Sequence, residues 1–350
     1  MRFLKTATLL VTILGCAAHP PSAPQDSGFW EIVPSMTDAS LRGLFVVNDR
    51  VAWASGSAGT YLRSTDGGLT WTVGIVRGAE ALDFRDVHAW SEDDAVLLSA
   101  GSPAKIVRTE DGGATWTEEY ANEREGVFFN SMDFWSTDRG IAVADPMDGR
   151  FMLIRTDDGG KTWTELPFES RPEALPSEAN FAASGTCIAT GQEGVAWFGT
   201  GGPAARIFRT TDWGASWSVN ISPLRSGEAS QGVFGLLILD HAHGLAVGGD
   251  YLDEPNSASN AARTEDGGVT WTLIEPGPSG FRECVAPKGA HTEHLIAVGP
   301  SGSDITFDGG KNWQSIPTHG RLHAVAFSAS GRLGLAVGAE GLVEVWRDDS

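Results

Sequence analysis

The sequence predicts an all-β fold, a seven-bladed β-propeller of four-stranded blades closed by its N-terminal strand. The first observation is composition: 44 glycines and 13 tryptophans among 350 residues are typical of many short strands and tight turns. The second is an octapeptide, Ser64-Thr-Asp-Gly-Gly-Leu-Thr-Trp71, which recurs at intervals of 42 to 54 residues. That interval is the period of one propeller blade. The third is the lack of an apolar run after the N-terminus long enough to span a bilayer.

The octapeptide has six copies, whose aspartates are Asp66, Asp111, Asp158, Asp212, Asp266 and Asp308. Its glycines supply the positive φ of a tight hairpin, its aspartate accepts the N–H groups of the turn, and its tryptophan packs between blades. Copy four has Trp213 at the first glycine, and copy six has Asn312 in place of threonine. Metal binding or catalysis would require the same chemistry in every blade, so we predict a structural role.

Seven first strands are predicted, near Leu41, Phe84, Phe128, Asn180, Gly232, Phe281 and Leu322. The last unit, residues 322–347, has no octapeptide and no fourth strand. Trp30-Glu-Ile-Val-Pro34 resembles Trp163-Thr-Glu-Leu-Pro167, which begins with the last residue of the third octapeptide. The N-terminal strand is therefore predicted to complete the last blade, so that residues 29–347 form one propeller.

The N-terminus predicts export. Arg2 and Lys5 precede the apolar run from Leu9 to Leu14, which is too short to span a bilayer. Ile13-Leu14-Gly15-Cys16 resembles a lipobox, so residues 1–15 are expected to be a signal peptide and Cys16 a lipidated residue, with residues 16–28 as tether. An ordinary signal peptide that contains a cysteine is the alternative. Ala17 favours the outer over the inner membrane, on the periplasmic side of the envelope.

Charge and cysteine content narrow the function. The formal net charge of −20 argues against nucleic-acid binding. Three cysteines cannot form a disulfide framework. No phosphate-binding loop, dinucleotide fingerprint or metal-ligand spacing is found, so no cofactor and no metal are expected. We expect a monomer that contacts the membrane only through its lipid anchor.

The candidate site lies on the face opposite the octapeptide hairpins, where second-to-third-strand loops of blades 3 to 6 depart from the short regular form. Arg42, Arg85, Arg282 and Arg321 stand at or just before first strands, near the same face and the central channel. Arginines there can hold a carboxylate or a peptide C-terminus through paired N–H donors. The candidate ligand-binding residues are Arg85, Asp145, Asp148, Arg150, Glu178, Arg206, Asp250, Tyr251, Arg282 and Asp304.

The octapeptide resembles the Asp-box, or BNR repeat, of sialidases, sortilin-type receptors and photosystem II stability/assembly factors. From Trp30 to Trp346 the chain is most similar to the assembly factors, through units such as Phe84-Arg-Asp-Val-His-Ala-Trp90 and Leu333-Gly-Leu-Ala-Val-Gly338. This resemblance implies a non-catalytic scaffold that binds a partner protein or peptide during assembly. The acidic charge and acidic loops depart from a basic binding face, so the photosystem partner does not carry over.

The alternative is a sialidase-like glycoside hydrolase that binds a carbohydrate. That family uses three arginines for the substrate carboxylate, a tyrosine nucleophile with a glutamate, and an acid aspartate. Of the three tyrosines, only Tyr251 falls in a loop of the candidate face. A pair of carboxylates, Glu178 with Asp145 or Asp250, is the other catalytic arrangement open to the chain.

Overall fold

The structure is a computed structural model that describes residues 28–348, and it confirms the predicted propeller. Seven four-stranded antiparallel sheets form the blades. The signal peptide and Cys16, predicted within residues 1–27, lie outside the described residues. No helix among the described residues is both long and apolar enough to cross a membrane.

The strands follow the chain from the innermost to the outermost position of each blade. Blade 1 consists of β2 (Leu41–Val46), β3 (Ala52–Gly56), β4 (Thr60–Ser64) and β5 (Thr72–Ile75). Blade 2 consists of β6 (Asp83–Ala89), β7 (Ala95–Ala100), β8 (Ala104–Thr109) and β9 (Thr117–Asn122). Blade 3 consists of β10 (Phe129–Phe134), β11 (Gly140–Met147), β12 (Arg150–Thr156) and β13 (Thr164–Glu165). Blade 4 consists of β14 (Ile188–Thr190), β15 (Ala196–Gly199), β16 (Arg206–Thr210) and β17 (Ser218–Ile221). Blade 5 consists of β18 (Gln231–Ile238), β19 (Gly244–Asp250), β20 (Ala261–Thr264) and β21 (Thr272–Leu273). Blade 6 consists of β22 (Cys284–Pro287), β23 (Leu295–Gly299), β24 (Gly302–Thr306) and β25 (Gln314–Ile316). Blade 7 consists of β26 (Leu322–Phe327), β27 (Gly334–Gly338), β28 (Val343–Asp348) and β1 (Gly28–Ile32).

The N-terminal strand closes the ring, as the sequence predicts. β1 is the outermost strand of blade 7 and pairs antiparallel with β28, so that Trp30 stands opposite Trp346. The two indole rings meet edge to face at 5.1 Å. Trp30 also donates its indole N–H to Ser303 Oγ of blade 6. It therefore packs against the preceding blade and takes the place of the tryptophan that the missing octapeptide would have supplied.

The hydrophobic core is divided into clusters between consecutive blades. Apolar side chains of blades 7 and 1 form one cluster around Leu41 and Leu335, and the same arrangement repeats around the ring. Each octapeptide tryptophan enters the cluster that its blade shares with the preceding one; Trp71, for example, packs in the cluster of blades 7 and 1. The hydrophobic core is thus divided among seven interfaces between blades. Each blade borders two of these clusters, so the loss of one blade would expose both to water.

The six Asp-boxes have the geometry that the sequence predicts. In blade 2, Asp111 Oδ1 accepts the Thr115 N–H at 2.8 Å and Oδ2 accepts the Thr115 hydroxyl at 2.6 Å. The Thr109 hydroxyl accepts the Gly113 N–H at 2.9 Å. These hydrogen bonds lower the pKa of Asp111, and the equivalent bonds lower the pKa of Asp266 to about 2. Asn312 keeps the pattern in copy six because its amide donates to Asp308 Oδ2.

Two predicted features differ from the structure. Blade 4 begins at Ile188 instead of near Asn180, and blade 6 begins at Cys284 instead of near Phe281. The loops of blades 3 and 6 are regular two-residue hairpins: Asp148 and Gly149 take positive φ between β11 and β12, and Pro300 and Ser301 join β23 to β24. Only blades 4 and 5 have long connections, residues 200–205 and 251–260.

Candidate functional site

A non-strand segment, residues 181–187, crosses the central channel before blade 4 begins. Arg42 of blade 1 donates to the Ala183 carbonyl at 3.1 Å, and Arg85 of blade 2 donates to the Ala182 carbonyl at 2.7 Å. On the other side, the Ser184 hydroxyl donates to the Glu283 carbonyl at 2.9 Å. Blade 4 has blades 3 and 5 as neighbours, so contacts with blades 1, 2 and 6 place this segment across the channel. We call it the channel segment.

Above the channel segment, on the face opposite the Asp-boxes, lies a cavity of about 350 Å³, here called the arginine cavity. Its lining residues are Arg42, Arg85, Phe181, Ala182, Ala183, Phe234, Tyr251, Glu254, Glu283, Pro300, Arg321 and His323. Three arginines stand against two glutamates in a chain whose net charge is −20. The cavity is therefore a local exception to an acidic surface.

The arginines converge because each stands where a first strand meets the channel. Arg42 lies in β2, Arg85 lies in β6, and Arg321 directly precedes β26. Burial lowers the pKa of Arg42, and the carboxylate of Glu283, 3.8 Å away, opposes that effect. Arg321 pairs with Glu254 at 2.6 Å, and this hydrogen bond raises the pKa of Arg321.

Several donors of this cluster remain uncommitted. Arg85 uses Nε on Asp83 and Nη1 on Ala182, while its Nη2 donates to no group among residues 28–348. In the same described range, Arg42 donates only through Nη1. Glu283 is less available to pair with the arginines, because its Oε2 is already 2.7 Å from His323 Nδ1. The cavity can thus offer fixed N–H donors to an incoming anion, which is the arrangement that carboxylate recognition requires.

The structure brings two of the ten sequence-predicted site residues, Arg85 and Tyr251, into the arginine cavity. Arg282 lies elsewhere, which differs from the expectation that it joins the channel arginines. Its side chain is fully buried and donates through Nε to Asp304 Oδ2 at 2.7 Å, with further bonds to Phe281 O and Ser279 Oγ. Arg282 and Asp304 therefore form an ion pair inside the packing of blade 6.

Glu178 and Arg206 form a second ion pair, in which Glu178 is buried and Arg206 is half-buried. Arg206 donates Nε to Glu178 Oε1 at 2.7 Å and Nη2 to Oε2. Glu178 also accepts the Thr200 hydroxyl and the Leu175 N–H, so each of its oxygens holds two donors. A carboxylate in this state is fully occupied in holding the long connection of blade 4.

The remaining four predicted residues also lie outside the arginine cavity. Asp145 Oδ1 accepts from the Asn130 amide and the Asn180 N–H, and burial raises the pKa of Asp145 to about 6. Asp145 and Glu178 line a separate shallow depression of about 550 Å³. Asp148 is exposed in the blade 3 hairpin, and Arg150 pairs with Glu173 at 2.7 Å. Asp250 accepts from Gln231 and the Leu252 N–H.

Sequence reasoning missed Phe181, Phe234 and Glu254 as cavity residues. The aromatic residues resemble ordinary core positions, and Glu254 lies in a long loop whose path the sequence does not fix. Arg42 and Arg321 carried a usable signal, since both stand at first-strand starts. Across residues 28–348, no three histidine, cysteine, aspartate or glutamate side chains are grouped to hold a metal ion.

The sequence model of a family described as photosynthesis system II assembly factor YCF48 matches residues 80–269, more than half of the chain. No protein of curated function matches the sequence significantly.

Solved structures of similar fold include "YCF48 bound to D1 peptide", with a TM-score of 0.63 and 18% identity over 93% of this chain and 97% of that one. YCF48 from Cyanidioschyzon merolae gives a TM-score of 0.62 and 18% identity over 91% and 99%. The GH74 xyloglucanase from Xanthomonas campestris gives 0.63 and 16% over 91% of this chain and 53% of that one. At these identities the likeness shows a shared propeller fold.

Proposed function

Because the chain belongs to the family of photosynthesis system II assembly factor YCF48, we propose that it is a non-catalytic propeller that binds a partner protein through the arginine cavity. The observation that carries this proposal is the convergence of Arg42, Arg85 and Arg321 on one cavity with uncommitted N–H donors. An anionic polypeptide end, above all a C-terminal carboxylate, matches those donors. The peptide bound by a YCF48 propeller of similar fold supports a polypeptide ligand.

The cavity favours the end of a chain over an internal segment. Its volume of about 350 Å³ is near the lower end of the roughly 300–1,000 Å³ usual for ligand pockets. The channel segment closes its floor through the Ala182 and Ala183 carbonyls. A strand laid across the mouth would leave the guanidinium groups below it, whereas a chain end can insert and reach them.

The test uses labelled decapeptides with a free C-terminal carboxylate and the same peptides as C-terminal amides. We expect the Arg42→Gln/Arg85→Gln variant to lose at least about tenfold in affinity for the free acids, because each charge-assisted bond is worth roughly 1.5–3 kcal/mol. Arg50→Gln is the matched control, since Arg50 is exposed on a turn of the opposite face. Equal affinity of wild type and the double variant would overturn the proposal, as would equal affinity for acids and amides.

A sialidase-like hydrolase is the second candidate, favoured by the presence of three arginines, Tyr251 and Glu254 in one cavity. The sialic acid carboxylate would take the place of the peptide carboxylate. No aspartate lines the cavity among the described residues, and Glu254 is paired with Arg321. The alternative pair, Glu178 with Asp145 or Asp250, would need Glu178 to give up four hydrogen bonds. Release of fluorophore from a 4-methylumbelliferyl sialoside, lost in Tyr251→Phe, would establish this candidate over the scaffold.

We also propose that the protein works as a monomer on the periplasmic side of the outer membrane, held by a lipid on Cys16. The Ile13–Cys16 segment supports the lipid anchor, and Ala17 after it supports the outer membrane. Cys16→Ser is expected to release soluble protein into the periplasm in cell fractionation. Equal membrane association of both forms would reject the anchor. Affinity purification from the native envelope would then identify the partner.

A further inference from the structure

The arginine cavity has two chemically different walls on opposite sides of the ring. The three arginines come from blades 7, 1 and 2, which are consecutive. The aromatic lining comes from the channel segment and blade 5: Phe181 precedes blade 4, Phe234 lies in β18, and Tyr251 follows β19. In a seven-bladed ring, blades 4 and 5 stand across the channel from blade 1. A cationic wall therefore faces an aromatic wall.

The aromatic wall is a packed unit. Phe181 and Phe234 stack with ring centroids 3.8 Å apart and planes 12° apart. Tyr251 meets both rings edge to face, at 6.4 Å and 6.2 Å. Phe281 supports Phe234 from behind at 4.6 Å and is fully buried. The wall is thus fixed before any ligand arrives, which reduces the ordering cost of binding.

Tyr251 is the accessible part of this wall. Its side chain is 43% exposed although it contacts two buried or half-buried phenylalanines. Its hydroxyl forms no hydrogen bond within residues 28–348. The neighbouring Leu252 is 78% exposed but does not line the cavity. An exposed aromatic ring across a narrow cavity from unpaired guanidinium donors is suited to an apolar group that lies a few bonds from a carboxylate.

We propose that the arginine cavity selects polypeptide C-termini whose last residue is apolar, with the terminal carboxylate on Arg42 and Arg85 and the last side chain against Phe181 and Tyr251. This selectivity rests on the proposed function and names the partner end that the same site takes. In the last residue of a chain, the carboxylate and the side chain leave the same Cα in different directions. One terminal residue can therefore contact both walls. An internal acidic residue would place its side-chain carboxylate on the arginines and would have no second side chain for the aromatic wall.

The test measures fluorescence polarisation with decapeptides that share nine residues and end in Phe, Leu or Ser, each as free acid and as amide. We expect the Phe and Leu acids to bind about tenfold more tightly than the Ser acid, because a buried aromatic or aliphatic side chain contributes that much affinity. Tyr251→Ala should reduce this preference to about threefold or less and leave the Ser acid unchanged. Tyr251→Phe should retain it, and Leu252→Ala is the matched control.

The outcomes separate the two proposals. If all free acids bind with the same affinity and still depend on Arg42 and Arg85, the apolar selectivity is wrong and the proposed function stands. If no free acid binds, the proposed function falls and the selectivity with it. Octanoate is added as a competitor, because a free amphipathic acid has the same two groups. Displacement by octanoate at lower concentration than by the Phe acid would overturn the polypeptide assignment.

Discussion

Blades 2 and 6 have nearly the same three residues where the chain enters the blade, Phe84-Arg85-Asp86 and Phe281-Arg282-Glu283, and the propeller uses them in opposite ways. In blade 2, Arg85 lines the arginine cavity. Asp86 is buried away from it and accepts the Met132 and Val87 N–H groups. In blade 6 the arginine is buried on Asp304, and the acid, Glu283, lines the cavity.

The cause is where each strand begins. β6 starts at Asp83, so Phe84 and Asp86 pair with Ser99 and Leu98 of β7, and Arg85 lies in the bulge between them. β22 starts only at Cys284. The two residues before Glu283 bond to blade 5, through the Phe281 N–H to the Glu254 carbonyl and the Arg282 N–H to the Gly248 carbonyl, while the Glu283 N–H bonds to Val298 of blade 6. A change in register reverses which side chains face the channel. The same three residue types therefore do not predict the same site.

The largest expected effect comes from removing the buried arginine. Arg282→Met should lower the free energy of unfolding by about 3–5 kcal/mol, because Asp304 is then left buried without its cation. Arg85→Met, at the equivalent position of blade 2, should lower it by only about 0.5–1.5 kcal/mol, since the ion pair with Asp83 is partly exposed and the bond to the Ala182 carbonyl is a single hydrogen bond. Urea unfolding of both variants measures the contrast, and equal losses would show that the two arginines have the same role.

A smaller effect is expected on the opposite face. Asp111→Ala should cost about 1–3 kcal/mol, because the Thr115 N–H and hydroxyl lose their acceptor. Peptide affinity should remain that of the wild type, since the Asp-boxes face away from the arginine cavity. Thermal unfolding and the decapeptide assay are to be run on the same samples. Weakened binding at unchanged stability would contradict the assignment of the two faces.

The smallest effect concerns Asp145, a half-buried acid that forms no ion pair with an arginine, in contrast to Asp304. The pKa of Asp145 is raised to about 6 in the folded protein, from an ordinary value of 3.8. Between about pH 4 and pH 6 the folded state therefore keeps a proton on Asp145 that the unfolded state has lost. The folded protein loses stability as the pH rises through this range. Asp145→Asn does not ionise, and its carbonyl oxygen can accept both bonds now made to Oδ1.

Asp145→Asn should therefore match the wild type near pH 4 and exceed it by about 1–2 kcal/mol at pH 7 to 8. Thermal melts across this range are the measurement, with Asp148→Asn as control, because Asp148 is exposed in the same hairpin. A constant difference between Asp145→Asn and the wild type at every pH would show that Asp145 does not titrate with folding.

The fold was predictable because its signals are local. The side-chain hydrogen bonds that shape an Asp-box join residues four positions apart, as in blade 2, so the repeat can be recognised from the sequence, and the blade count and the closing strand follow from the repeat. The site depends on distant partners. Nothing near Arg282 in the sequence indicates Asp304, and nothing near Phe181 indicates that its segment leaves blade 4 and meets Arg42 and Arg85. Those contacts are set by strand starts, which hydrophobic patterns locate only to within a few residues.

The closing strand has a consequence for how two molecules can meet. β1 contributes five residue pairs to blade 7 and belongs to the opposite end of the chain from β28, its partner. When β1 leaves, the freed edge of β28 is complementary to the β1 of any other copy, and reciprocal exchange restores every pair in both rings. A domain-swapped dimer needs no new surface here, only high concentration and a transient opening of one blade. The seam that makes the ring complete is also the place where two rings can be joined.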